Sequence, residues 1–302
     1  MGFDVTWHPI SQVEMHQWYF DRLEEARRGN YIAAMRLANQ YRMGQAGGDQ
    51  EQCRKAYRGM LEQGAQMKPD DPFDKTHSFL LAMVQGMFRT YYYTRGGIYS
   101  ALAEMTPEMA DYTLPFQEIL GDKLQARIGI GPIRNRIFEN YCGGVYIPED
   151  QVSRLLADYE SGKAEEPLKQ CFGPTLAVFL KALLHAKKEG VGLLEATDVV
   201  QPDPLDLHAT TCRSYLTNCD LDGVKIYAET ARHQLEQAIK AEKEAAEQPQ
   251  AFRQPSIPAA PPAPEPVAPK KTTTPKTSPK KNLPKKAPPK KKGLFGRLFG
   301  GR

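Results

Sequence analysis

The chain has 302 residues, 41% of them hydrophobic and 25% charged, with 40 Lys+Arg against 36 Asp+Glu. This is the composition of a globular protein long enough to bury a sizeable core. The net charge of +4 averages two unlike regions: residues 248–302 carry thirteen Lys/Arg and one acid, Glu265, a net of +12, whereas residues 1–247 carry 27 bases and 35 acids, a net of −8.

Five cysteines (Cys53, Cys142, Cys171, Cys212 and Cys219) are an odd number with no CxxC pair. They argue against a disulfide framework, Cys212 and Cys219 at seven apart lack zinc spacing, and reduced, mostly buried thiols are expected. Met1 to Asp4 lack the basic and apolar runs of an export signal. The apolar run Leu176 to Ala186 is broken by Lys181 and is too short to span a bilayer. A cytoplasmic protein is expected.

In chain order, Phe3, Val5 and Trp7 alternate with polar residues, which predicts a half-buried strand stopped by Pro9. Ser11 and Glu14 form a capping box for a helix to about Arg28, with Met15, Tyr19, Leu23 and Ala26 inward and Gly29-Asn30 ending it. Residues 31–45 and 49–66 read as two more helices. Residues 76–93 read as an amphipathic helix with His77, Leu81, Val84, Phe88 and Tyr91 on one face, and His77 is expected as a hydrogen-bonded core histidine. Short helical turns follow at 98–104 and after Pro107. Gly143-Gly144 turns into a short strand ending at Pro148. Helices are expected at 151–159, 175–188 and 226–243, a strand at 193–200 and loops at 202–222.

The expected fold is therefore mainly α with a few short β-strands. A globular domain spans 1–247, a disordered linker rich in Pro/Ala and then Lys/Pro spans 248–292, and a short amphipathic tip spans 293–302. The linker holds too little apolar surface to offset the entropy of ordering.

No phosphate loop, hydrolase elbow or HExxH helix is present, and Gly129-Ile130-Gly131 lacks the third glycine of a dinucleotide loop. Asp220-Leu221-Asp222-Gly223 begins like a calcium loop but lacks its later ligands, so an Asx turn is expected. No cofactor and no metal is expected. The densest polar-aromatic stripe is Ser78, Gln85, Arg89 and Tyr92, followed by Arg95. An arginine, an amide and a tyrosine at helical spacing suit a pocket for an anionic ligand, or a buried polar network that fixes helix packing. Arg134, Arg136, Glu139 and Asn140 are the polar cluster expected beside it.

The block from Asn140 through Cys142-Gly143-Gly144 to Pro148, with the start Met1 to Pro9, resembles uncharacterised bacterial cytosolic proteins, some of them near toxin and immunity loci. The resemblance covers the body alone, carries no catalytic motif, and implies a binding or immunity-like role with a protein partner.

At the C-terminus, Leu294, Phe295, Leu298 and Phe299 share one helical face, with Arg297 and Arg302 outside it. Eight lysines lie between Lys276 and Lys292, among them Lys290, Lys291 and Lys292. An apolar tip behind a polybasic run is a two-signal device for an anionic membrane surface. A partner protein's groove is the second destination for the tip. Nucleic acid is the third, and it leaves the two Phe and two Leu unexplained. The functional expectation is a non-enzymatic interaction protein, immunity-like in its most specific form, attached to the inner membrane face. The alternatives are an enzyme or small-ligand sensor around Arg89 and Arg95, or a nucleic-acid-associated protein.

Overall fold

Residues 3–43, 50–66, 76–115, 118–119 and 143–247 are described by the structure, a computed structural model. The chain divides into two units, Met1–Gln248 and Pro249–Arg302, and every described residue belongs to the first. The expectations for Gly129–Pro132, for Arg134, Arg136, Glu139 and Asn140, for Cys142 and for the tail lie outside the described residues.

β1 (Phe3–Ile10) is the middle of the molecule. Val5 and Trp7 face one side, Thr6 and His8 the other, and all four are buried. The expected half-buried strand is thus covered on both faces. It also runs through Pro9. β2 (Tyr91–Gly96) pairs with β1 only as far as Trp7↔Tyr92, so the absent Pro9 N–H faces no lost partner on that side, while β5 (Gly192–Thr197) pairs on to Ile10↔Gly192.

The sheet has six strands in the order β3-β4-β5-β1-β2-β8, with β3 (Leu114–Pro115), β4 (Gly143–Ile147) and β8 (Cys219–Asp220). All pairings are antiparallel except β2 with β8. A separate two-stranded ribbon joins β6 (Val200–Gln201) and β7 (Thr211–Cys212). Helices dominate elsewhere, so the protein is mainly α with a few short strands.

One face of the sheet meets α1 (Gln12–Met15), α2 (Asp21–Arg27), α3 (Ile32–Gln40), α4 (Gln50–Gln66) and α5 (Thr76–Phe88). The Ser11–Glu14 capping box starts α1, and Gly29 at φ +70° closes α2. Between α1 and α2, His16–Phe20 form a π turn, which simple 3.6 periodicity does not reveal. The Tyr57 hydroxyl donates to the Trp18 carbonyl there at 2.6 Å, satisfying an acceptor inside the widened turn. His77 lies in this core with Nδ1 2.8 Å from the Tyr19 hydroxyl.

α5 is not amphipathic: His77 to Met87 are all buried. It also ends at Phe88, not at 93. The run Tyr91-Tyr92-Tyr93-Thr94 becomes β2, where aromatic and β-branched residues fill both faces of a covered sheet.

The other face meets α6 (Tyr99–Met105), α7 (Pro107–Ala110), α8 (Glu149–Glu160), α9 (Glu165–Phe172) and α10 (Leu176–Glu189). Trp7 anchors it against Phe179 and Phe172 at ring distances of 4.7 and 5.6 Å. α11 (Asp222–Glu247) crosses the β2–β8 edge through Val224 and Ala228, and then stands in solvent from Arg232 to Glu244.

Candidate functional site

The five body residues expected to line one pocket are separated by the break between α5 and β2. Ser78 and Gln85 are buried on the α5 side. The Gln85 amide donates to the carbonyls of Pro9 and Thr90 at 3.0 and 3.2 Å, so its Oε1 faces His8 Nδ1 at 2.7 Å as an acceptor. That assigns the His8 proton to Nδ1. Nε2 then lies 2.8 Å from the Thr6 hydroxyl, and the ring stacks on Tyr91. Burial lowers the His8 pKa to about 4, with the Gln85 bond opposing it. The stripe is thus a polar network that ties α5 to β1.

Arg89 follows the end of α5. Its guanidinium holds both oxygens of Glu14, at 2.6 and 3.4 Å, and lies over the Trp18 ring. Glu14 also accepts from the Ser11 N–H, so one carboxylate serves the helix cap and the arginine together. Tyr92 points to the opposite sheet face, where its hydroxyl lies 3.0 Å from His185 Nδ1. Arg95 is at the far end of β2, paired with Asp4 at 2.5 Å and stacked over Tyr227. Asp4 accepts from the Tyr93 hydroxyl as well, at 2.6 Å. Each arginine is held by an internal carboxylate, and the two do not converge.

The most unusual group is one the sequence reading passed over. Glu195 lies in β5 and is fully buried. Its carboxylate accepts from the backbone N–H groups of Tyr99, Ser100 and Val145 at 2.5, 3.1 and 3.4 Å. Tyr99 and Ser100 open α6, whose own N-cap residue, Ile98, offers no side-chain oxygen. Glu195 therefore caps α6 from a neighbouring strand, with its carboxyl oxygens at the positive end of the helix. Burial raises its pKa and the N–H bonds oppose that rise. A side chain at Gly144 would strike the Glu195 carboxylate, which explains a glycine at that place. Nearby, burial and the Glu195 charge push the Cys171 thiol up to about 12, so it stays protonated and a poor nucleophile. A lone glutamate in the apolar run Gly192–Thr197 is the signal that points to this cap.

The carboxylates of Asp220 and Asp222 grip the Lys181 ammonium at 2.6 and 2.7 Å, and Asp220 accepts from the Asp222 N–H at 3.1 Å. This is the expected Asx turn, with an internal cation between the two acids. Among the described residues no group of three or more His, Cys, Asp or Glu is arranged to hold a metal. Cys53, Cys171, Cys212 and Cys219 form no disulfide. No helix among the described residues is long and apolar enough to cross a membrane. The docking residues Lys290, Lys291, Lys292, Leu294, Phe295, Arg297, Leu298 and Phe299 lie outside the described residues.

In comparisons with known proteins, no family model, no curated protein and no solved structure matches this chain.

Proposed function

We propose that this is a non-enzymatic interaction protein: a folded body that binds another protein, and a basic C-terminal arm that attaches it to an anionic membrane surface. The observation that carries the reading is the junction. α11 leaves the sheet after Ala228, is exposed from Arg232 to Glu244, and continues as a helix to Glu247, immediately before the segment of net charge +12. A helical stalk followed by a polybasic arm and a Leu/Phe tip suits a tether. Each lysine near an anionic leaflet contributes about 1 kcal/mol, and the four apolar side chains contribute inserted area.

The internal pairing of Arg89 and Arg95 favours binding over catalysis for the body, because neither guanidinium is left to meet an anionic substrate. The test is co-sedimentation of the full chain with anionic and with neutral vesicles. The reading expects binding to the anionic vesicles, weakened by raised salt and by Phe295→Ala with Phe299→Ala. Equal recovery with neither vesicle type at low salt would overturn the membrane part and favour a protein groove for the tip.

A further inference from the structure

The side chains of α11 are exposed from Arg232 to Glu244. Most are Ala, Gln, Lys and Glu, which suit a helix that stands alone. Leu235 and Ile239 are different: they lie one turn apart on this stalk, 46% and 45% exposed. Arg232 stands three residues before Leu235, and Glu242 three after Ile239. Steps of three, four and three residues keep all four on one stripe, the spacing of a coiled-coil seam. Lys240 pairs with Glu244 within the helix at 3.8 Å, whereas Glu229, Arg232, Glu242 and Lys243 have no ion pair among the described residues.

The order of charge along the stripe selects the occupant. A second copy laid antiparallel about a two-fold axis at Gln237 sets Leu235 against Ile239 and Arg232 against Glu242, each contact made twice. On one shoulder of the seam Glu229 faces Lys243 of the second copy, also twice. On the other shoulder Ala238 meets itself and lets the helices approach. The one like pair is Glu236 with itself, at the rim, where water and salt screen it. A parallel copy would instead put Arg232 on Arg232 and Glu242 on Glu242. Exposed ion pairs add little energy, but they choose orientation and partner. The exposed stretch is about 18 Å long. Each body meets α11 at Val224 and Ala228, outside that stretch, so the two bodies lie at opposite ends of the pair.

We propose that the outer half of α11 is a self-association helix, which pairs antiparallel with the same helix of a second copy through Leu235, Ile239 and the Arg232–Glu242 contacts. The inference goes beyond the tether and rests neither on the membrane arm nor on the partner of the body. With two apolar side chains from each helix the pair is weak and concentration-dependent, and at the dilution of a denaturant titration each copy stands alone.

The test is sedimentation velocity of the full chain over a concentration series. The expected result is a reversible monomer–dimer equilibrium. Arg232→Glu sets Glu against Glu242 at both ends and should weaken the dimer on the order of tenfold. Glu242→Arg should do the same, and the two changes together should recover the original affinity. Leu235→Ala with Ile239→Ala should abolish the dimer. All four side chains are exposed, so the melting temperature at low concentration should stay unchanged, which separates lost pairing from lost folding. Association of the basic arm with an acidic body would respond differently: Arg232→Glu would strengthen it and Glu242→Arg would weaken it. That pattern, a chain that is monomeric at every concentration, or a double charge variant no tighter than the single ones would overturn the proposal.

Discussion

Glu195, His8 and His77 each couple the stability of this protein to pH. His8 and His77 have pKa values lowered by burial from 6.5 to about 4 and about 3. The unfolded chain takes up both protons below pH 6.5, whereas the folded chain refuses them until those lower values. Stability therefore falls as pH drops from 6.5 toward 4, by roughly 1.4 kcal/mol per pH unit for each histidine. His77→Leu should flatten this acid slope, and it also removes the buried Nε2 that lacks a partner. Thermal melts between pH 7 and 4 check this, and an unchanged slope contradicts it. Glu195 acts with the opposite sign: its raised folded pKa means that stability is lost as pH rises through that value. Its structural role is tested by a double-mutant cycle. Gly144→Ala should cost about 1–3 kcal/mol by pressing on the Glu195 carboxylate. Glu195→Ala should cost about 3 kcal/mol or more by orphaning three N–H groups. The double variant should cost less than the sum, since the clash disappears with the carboxylate. Additive losses would show that Gly144 and Glu195 are not coupled. His77 was legible as a core histidine because it sits among apolar neighbours at helical spacing. Glu195 was not read, because its partners are backbone groups of α6 and β4 that only the folded sheet brings to it.

The helices beginning at Ser11, at Pro107 and near residue 175, and the strand after Gly143, were legible from local chemistry: a capping box, a proline in the first turn, apolar periodicity, a glycine turn. What failed were the features that tertiary pairing decides. Apolar spacing ran on from α5 into Tyr91–Tyr93, and strand pairing with β1 overrode the helical reading. Tyr92 thereby left the stripe of Ser78, Gln85 and Arg89 and joined His185 on the opposite face. α9 was not expected, because only its Leu168 and Phe172 are buried and eight residues give little periodicity. α11 tests the division between docked and solvated helix. Gly223 lies so close to the Tyr93 carbonyl that a side chain there would displace the helix. Gly223→Ala should cost about 1–3 kcal/mol, whereas Leu235→Ala and Ile239→Ala, at side chains 46% and 45% exposed, should each change stability by less than about 0.5 kcal/mol. Denaturant titration separates these cases, and a large loss at Leu235 would mean that the outer half of α11 is packed.

Taken whole, the molecule joins a body of net charge −8 to a segment of net charge +12. The body's own charge opposes contact with any polyanion, so attachment through lysines alone would be weak at ordinary ionic strength and would not distinguish a membrane from nucleic acid. In the proposed attachment, Leu294, Phe295, Leu298 and Phe299 supply that distinction, because a bilayer or a protein groove can bury them and a nucleic-acid duplex does not. The central claim is tested most directly by offering the full chain anionic vesicles and double-stranded DNA together, at equal phosphate and physiological ionic strength. The account predicts that the chain follows the vesicles, and that Phe295→Ala with Phe299→Ala shifts it toward the DNA. A wild-type chain that partitions to DNA, with no response to the phenylalanine changes, would contradict it.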